Sequence, residues 1–262
     1  MFRVAPPVAL LRNWPLVRSK LVLLAVVCAS RGLPQSNALP QRETLSYSIE
    51  WRLVTAGKAR LEWEVAQPPR SGAQIKLHME SVGLVSKLFK VEDDYAANLN
   101  PALCILSSQL IAHEGSRQRD TRIAFDYDGR KASYMERDLV KNATLSAQET
   151  DLSSCTHDVL GGLYYLRTVN LEPDHSMQAS VSDGKKVIVA KVEAQQREEI
   201  KVPDGTYKTI RYEIFLFDNV LYRRSGHLYV WLSDDSRKLP VQIRARMAFT
   251  VGTITLLLEK HE

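Results

Sequence analysis

The sequence predicts a mainly β fold: a single curved antiparallel sheet or half-barrel of about a dozen strands, with one main helix packed against it. Three observations carry this expectation. Beyond the first forty or so residues, apolar and polar side chains alternate with period 2, which gives a strand one buried and one wet face. Turn signals such as Asp128-Gly129, Asp183-Gly184 and Pro203-Asp204-Gly205 separate the alternating runs. Only the stretch from Asp151 to Arg167 carries apolar residues at helical spacing over a comparable length.

The chain begins with the layout of a secretory signal. A basic segment ends at Lys20, an apolar run of nine residues follows from Leu21 to Ala29, and Ser30 to Ala38 is polar with small residues. Nine apolar residues are too few to span a bilayer, which needs ~20. Cleavage after Ala29 or after Ala38 satisfies the small-residue rule, and Ala38 is preferred. The expected organisation is therefore a signal peptide over 1–38 and a single β-rich domain over 39–262. The basic segment is long for a signal, so an uncleaved N-terminal anchor is the alternative. Acylation of Cys28 is disfavoured because Val27, not a small residue, precedes it. Lys and Arg total 35 against 30 Asp and Glu, and Arg3, Arg12, Arg18, Lys20 and Arg31 supply the excess. The body is formally neutral, so it offers no electrostatic footprint for nucleic acid. An exported protein, periplasmic or associated with the outer envelope, is expected. Membrane association is expected only through an uncleaved signal or as a peripheral protein.

The strands start with a hairpin. Leu45, Tyr47, Ile49, Trp51 and Leu53 share one face. Ala59, Leu61, Trp63 and Val65 share the corresponding face after a connection at Val54-Thr55-Ala56-Gly57. Gln67-Pro68-Pro69-Arg70 breaks the chain before a run through Ile75, Leu77 and Met79. Val82 to Phe89 loses period 2 and suits a short helical or irregular crossing. Alternation resumes through Val91, Asp93, Tyr95, Ala97 and Leu99, then from Cys104 to Glu114. Ile123, Phe125 and Tyr127 lead into Asp128-Gly129, and Lys131 to Arg137 returns, so short turns alone join the runs from Leu45 to Arg137 and a meander is expected there.

In the helix, Asp151, Ser153, Ser154 and Thr156 offer N-cap oxygens, and Val159, Leu160, Leu163, Tyr164 and Leu166 form the apolar face. Gly161-Gly162 costs roughly 1 kcal/mol per glycine relative to alanine, which implies close approach to the sheet or a break. Strands return over Met177–Val181, Val187–Val192 and Thr206–Phe217. Leu228 to Leu232 is apolar on both faces and so interior. Val241 to Phe249 alternates, and Thr253 to Leu258 is the last strand.

Catalytic and metal-binding patterns are missing from the sequence. Cys155-Thr156-His157-Asp158 holds the residue types of a thiol nucleophile with its base, but residues two apart on a helix point apart, and such triads assemble from distant segments. Asp126-Tyr127-Asp128-Gly129 lacks the later ligands of a calcium loop and reads as a hairpin turn. The six histidines show no metal-ligand spacing, and no glycine-rich phosphate loop occurs. A non-enzymatic protein without cofactor is expected, with hydrolysis centred on Asp93 or Cys155 as the minority alternative. Asp93 interrupts an otherwise apolar face, as a functional group or as a buried hydrogen-bonding one. Arg244 and Arg246, with Arg223-Arg224, could hold an anionic head group or simply be solvated. Cys104 and Cys155 remain once a signal is removed, either as a disulfide or as two buried thiols. The aromatic strand faces suggest a groove for an apolar or amphipathic, lipid-like ligand, with Trp51, Trp63, Asp93 and Trp231 as candidate lining. The alternative is an envelope scaffold or assembly partner with a filled core.

Several stretches in order resemble a bacterial family of exported proteins, the domain of unknown function 3108. They are Glu43, Tyr47, Ile49, Trp51 and Ala56-Gly57-Lys58-Ala59; Ser86 to Val91 with Asp93 and Tyr95; Glu114-Gly115; Phe125-Asp126; Val230 to Asp235; and Leu239-Pro240-Val241. The resemblance runs from Glu43 to the C-terminus. It implies an exported β-rich domain with a curved sheet and a helix against it, similar in shape to periplasmic lipoprotein carriers. It brings no catalytic or binding residues.

Overall fold

The opening hairpin proves to be the middle of the sheet. The computed structural model describes residues 39–262 apart from 70, 153 and 248–251. The expected signal, its cleavage sites, Cys28 and Phe249 lie outside the described residues. Fourteen antiparallel strands form one sheet. The first eight are β1 (Arg42–Trp51), β2 (Val54–Val65), β3 (Ala73–Ser81), β4 (Val91–Leu99), β5 (Ile105–Glu114), β6 (Arg117–Asp126), β7 (Lys131–Asp138) and β8 (Ala143–Asp151). The last six are β9 (Ser176–Ser182), β10 (Val187–Val202), β11 (Gly205–Ile214), β12 (Gly226–Ser233), β13 (Pro240–Met247) and β14 (Thr253–His261). A short helix α1 (Gly83–Leu88) lies between β3 and β4, and the main helix α2 (Val159–Thr168) follows β8.

The strand order is β8-β7-β6-β5-β4-β3-β2-β1-β14-β13-β12-β11-β10-β9. Two sequential meanders therefore meet at a seam between β1 and β14, where Leu45 pairs with His261. Thr44 and Glu262 exchange two backbone hydrogen bonds of 2.9 Å there. The free edges are β8 and β9, which the chain joins through α2. The sheet curls but does not close: Gln148 and Thr150 of β8 donate side-chain hydrogen bonds to the carbonyl of Lys185, in the β9–β10 turn, and no backbone ladder joins the two edges.

Helix α2 fills the concave face. Tyr164 stacks on Trp63 of β2 with ring centroids 4.5 Å apart. Arg167 donates to both carboxylate oxygens of Glu43 on β1, at 2.6 and 2.7 Å, and both side chains are buried. A Cβ on Gly161 would stand 2.6 Å from the Asp158 carboxylate that caps the helix and 3.3 Å from a methyl of Leu99 on β4, so the first glycine of the pair makes room for the cap as well as for the strand. On the other half of the sheet, the Tyr212 hydroxyl donates to the carbonyl of Leu171, just past the helix.

Three local expectations need correction. The helix begins at Val159 and is capped by Asp158, whose carboxylate accepts from the N–H groups of Leu160 and Gly161. Asp151 ends strand β8 instead, and residues 154–158 stay non-helical because Cys155 is bonded to Cys104 and His157 bridges to Val181. Strand β8 itself was not expected; its mostly exposed residues give no two-sided pattern. The β1–β2 turn is Arg52-Leu53, both in the left-handed region (φ 51° and 70°), and Val54–Gly57 belongs to β2 with a bulge beside Ile49. Gly57 serves packing rather than the turn: a Cβ there would lie 2.5 Å from the carbonyl oxygen of Glu80.

Candidate functional site

Burial falls along the inner faces of β1, β3 and β14 as they leave α2. On β1, Leu45 and Tyr47 are 0% and 1% exposed under the helix, whereas Trp51 at the far end is 39% exposed. The same gradient runs from Ile75 to Met79 on β3 and from Leu258 to Ile254 on β14. The uncovered stretch forms a groove of about 780 Å³. Its walls are Ile49 and Trp51 of β1, Met79 of β3, and Ile254 and Leu256 of β14. Val85 and Phe89, on and just after α1, form one lip, Arg224 stands on the β11–β12 loop, and Gly57 of β2 lies in the lining. Drug-sized ligand pockets occupy ~300–1,000 Å³, mostly apolar with few polar groups, and this groove fits that description. A larger depression of about 1020 Å³ on the outer face of β3–β8 mixes Gln74, Asn98, Gln109, Arg122 and Glu149 with Ala96, Ala124 and Met135, so its lining is far more polar than that of the groove.

The four side chains expected to line a groove divide. Trp51 lines it, against the hairpin's apolar face. Trp63 does not: it is 2% exposed beneath Tyr164, and its indole N–H donates to the carbonyl of Pro40 at 2.9 Å. Trp231 does not either. Val230 and Leu232 point into the core, so period 2 turns Trp231 to the outer face. There it donates to the Glu198 carboxylate at 2.8 Å and lies under the Arg244 guanidinium, which buries it without a groove. Asp93 is buried on the inner face two residues from the groove residue Val91, outside the groove wall. Burial pushes its carboxyl above the usual carboxylate range, while the N–H of His113, donating at 3.0 Å, opposes the rise.

The structure joins Cys104 and Cys155 in a disulfide, with Cα atoms 5.2 Å apart. No thiol remains at Cys155 to act as a nucleophile. His157 is held at 2.8 Å from the carbonyl of Leu103 and stacks on Tyr165. Desolvation lowers its pKa and keeps the ring neutral. Asp158 is committed to the helix cap and to the Tyr95 hydroxyl at 2.5 Å. Among the described residues, no group of three or more His, Cys, Asp or Glu is placed to hold a metal ion. None of the described helices is long and apolar enough to cross a membrane.

Met79, Val85, Phe89, Ile254 and Leu256 escaped the sequence reading as groove residues. Each belongs to an ordinary alternating strand or a loop, and only the limited reach of α2 leaves them uncovered. The loss of period 2 over Val82 to Phe89 was the one local signal.

The fold resembles solved structures of low identity. A β-barrel-like protein from Brucella abortus, of the domain of unknown function DUF1849, matches 86% of this chain and 98% of its own, with a TM-score of 0.51 and 10% identity. A Bacteroides fragilis protein classed as exported, with a YmcC-like fold, matches 86% of this chain and 97% of its own, with a TM-score of 0.37 and 8% identity. A Parabacteroides distasonis protein classed as a lipoprotein matches the same shares, with a TM-score of 0.34 and 11% identity. No curated protein matches the chain. The model of the family described as "Protein of unknown function (DUF3108)" covers residues 46–259, from the first strand to the last, and the chain belongs to that family.

Proposed function

We propose that this is a non-enzymatic bacterial envelope protein that holds an apolar or amphipathic ligand, of the acyl-chain class, in the open end of its curled sheet. The groove beside Trp51 carries the reading: side chains that would be core elsewhere in the sheet face an unfilled space of about 780 Å³. Burial of methylene groups yields ~0.8 kcal/mol each. About ten of them in the groove would gain about 8 kcal/mol, a micromolar scale before the cost of immobilising the ligand. Arg224 at the mouth suits an anionic head group on such a chain.

The test is to purify the protein from the compartment to which cells deliver it, extract it with organic solvent and identify what is released by mass spectrometry. A stoichiometric lipid-like molecule is expected from the parent protein, and Met79→Trp, which fills the groove, should release at least tenfold less. Repeated extraction of nothing from a folded parent would overturn the reading and favour the filled scaffold.

A further inference from the structure

The groove's mouth has a second property that its walls do not share. Fourteen large apolar side chains are left exposed among the described residues; five of them stand on three connections around this mouth, and Trp51 and Val54 flank one of those. Leu53 lies in the β1–β2 turn, between Trp51 at the end of β1 and Val54 at the start of β2. Leu84, Leu88 and Phe89 lie on and just after α1, and Tyr222 is on the β11–β12 loop. Leu53 is 91% exposed and sits in the left-handed region, where a β-carbon is unfavourable and Gly or Asn is the ordinary occupant. A costly backbone position thus displays an isobutyl group to water. Exposed apolar patches of this kind mark interaction sites.

The charges around the patch select its partner. The connections 52–53, 82–90 and 215–225 carry Arg52, Lys87, Lys90, Arg223 and Arg224 against one acid, Asp218. Lys90 is paired with Glu92. Of the acids on the strand ends below, Glu80 lies opposite Lys58 and Glu114 opposite Arg117, while Glu50 lies between Thr55 and Thr255. The connections at the opposite strand ends behave differently. Residues 66–72, 100–104, 127–130, 203–204 and 234–239 balance Arg70, Arg130, Arg237 and Lys238 against Asp128, Asp204, Asp234 and Asp235. None of the large exposed apolar side chains lies on them.

We infer that this end of the sheet docks on an anionic lipid bilayer. Leu53, Leu84, Leu88 and Phe89 enter the interfacial region, and Lys87, Arg223 and Arg224 contact the head groups. Apolar side chains ringed by cations match a membrane interface, where buried apolar area and attraction to anionic lipid add. A second copy of the chain is the poorer occupant, because a symmetric contact through this end would bring two cationic rims together. The docked orientation turns the groove toward the bilayer, but docking stands whether or not the groove holds a ligand.

The test is co-sedimentation of the purified protein with vesicles of phosphatidylethanolamine and phosphatidylglycerol, and with vesicles of phosphatidylcholine alone. Binding to the anionic vesicles is expected, with loss on raising salt and at least tenfold weaker binding to the neutral ones. Leu53→Gly combined with Leu88→Ser should weaken binding about tenfold or more, and so should Arg223→Glu with Arg224→Glu. Leu53→Gly relieves the left-handed position, so the melting temperature should not fall, and lost binding cannot be ascribed to unfolding. Met79→Trp fills the groove and should bind vesicles as the parent does, so failure of the groove reading and failure of docking are separable. Absence of anionic-vesicle binding, binding indifferent to these substitutions, or a dimer that the same substitutions dissolve would each overturn the inference.

Discussion

His157 illustrates how much a single residue's meaning depends on distant chain. In the sequence it stands between Thr156 and Asp158 like part of a catalytic cluster. In the structure it is a buried neutral ring holding the carbonyl of Leu103 at 2.8 Å, and desolvation lowers its pKa below the ordinary 6.5. In the unfolded chain the ring takes up a proton near pH 6.5, while in the folded protein it resists. Stability from this group is complete above pH 6.5 and is lost as pH falls below it. Denaturant titrations between pH 7.5 and 5 should show that decline, and His157→Phe should flatten it while lowering stability at neutral pH through the lost hydrogen bond. An unchanged pH slope in the variant would assign the decline to other groups. Asp93 is a similar case. Its interruption of an apolar face was legible, but its acceptance of the His113 N–H depends on the pairing of β4 with β5, which no local pattern encodes.

At the level of elements, the strands were legible because one-sided burial writes period 2 into the sequence. Strand β8 was not, because most of its residues are exposed. The main helix was placed too early because the segment before it is rich in capping residues, yet the disulfide and the bridge to Val181 hold that segment extended. The contact that docks the helix was not legible at all: Glu43 and Arg167 are 124 residues apart and each looks like an ordinary surface charge. Both are buried, and the Arg167 Nε has no hydrogen-bond partner, so this ion pair is costly to break and dispensable only as a pair. Arg167→Met should destabilise the protein by about 3–5 kcal/mol by leaving Glu43 uncompensated. Glu43→Leu together with Arg167→Met should recover much of that loss in chemical denaturation. Equal losses in the single and double variants would show that the carboxylate is not the source of the penalty.

For the molecule as a whole, the mainly β fold class and the one main helix could be read in advance. The groove could not. It exists because a helix of ten residues cannot cover a face built from fourteen strands, a mismatch visible only once the strands are assembled. The two tryptophans that looked like ligand platforms, Trp63 and Trp231, were claimed by the helix and by the outer-face ion pairs instead. The Cys104–Cys155 disulfide acts at this scale, since it ties the start of β5 to the segment that carries the chain from one free edge to the other. The bridged cysteines are 51 residues apart, so chain-entropy reasoning gives about 4 kcal/mol. Cys104→Ala with Cys155→Ala should lower stability by roughly 2–5 kcal/mol. A loss below about 1 kcal/mol would mean that the rest of the segment fixes the crossing alone.

The seam between β1 and β14 also orders events in time. Each meander can pair hairpin by hairpin as it leaves the ribosome, because neighbours in sequence are neighbours in the sheet. β1 alone must wait: its second partner is the final strand, and Leu45 meets His261 only when nearly the whole chain has been delivered. Until then β1 and β13 present unpaired edges in what will become the interior of the sheet. A chain halted before β14 would keep two halves that can slide apart, which suits threading through a narrow channel. It would also offer those edges to the β14 of a second molecule, so strand exchange at this seam is the route by which the protein would dimerise if delivery of the last strand stalled.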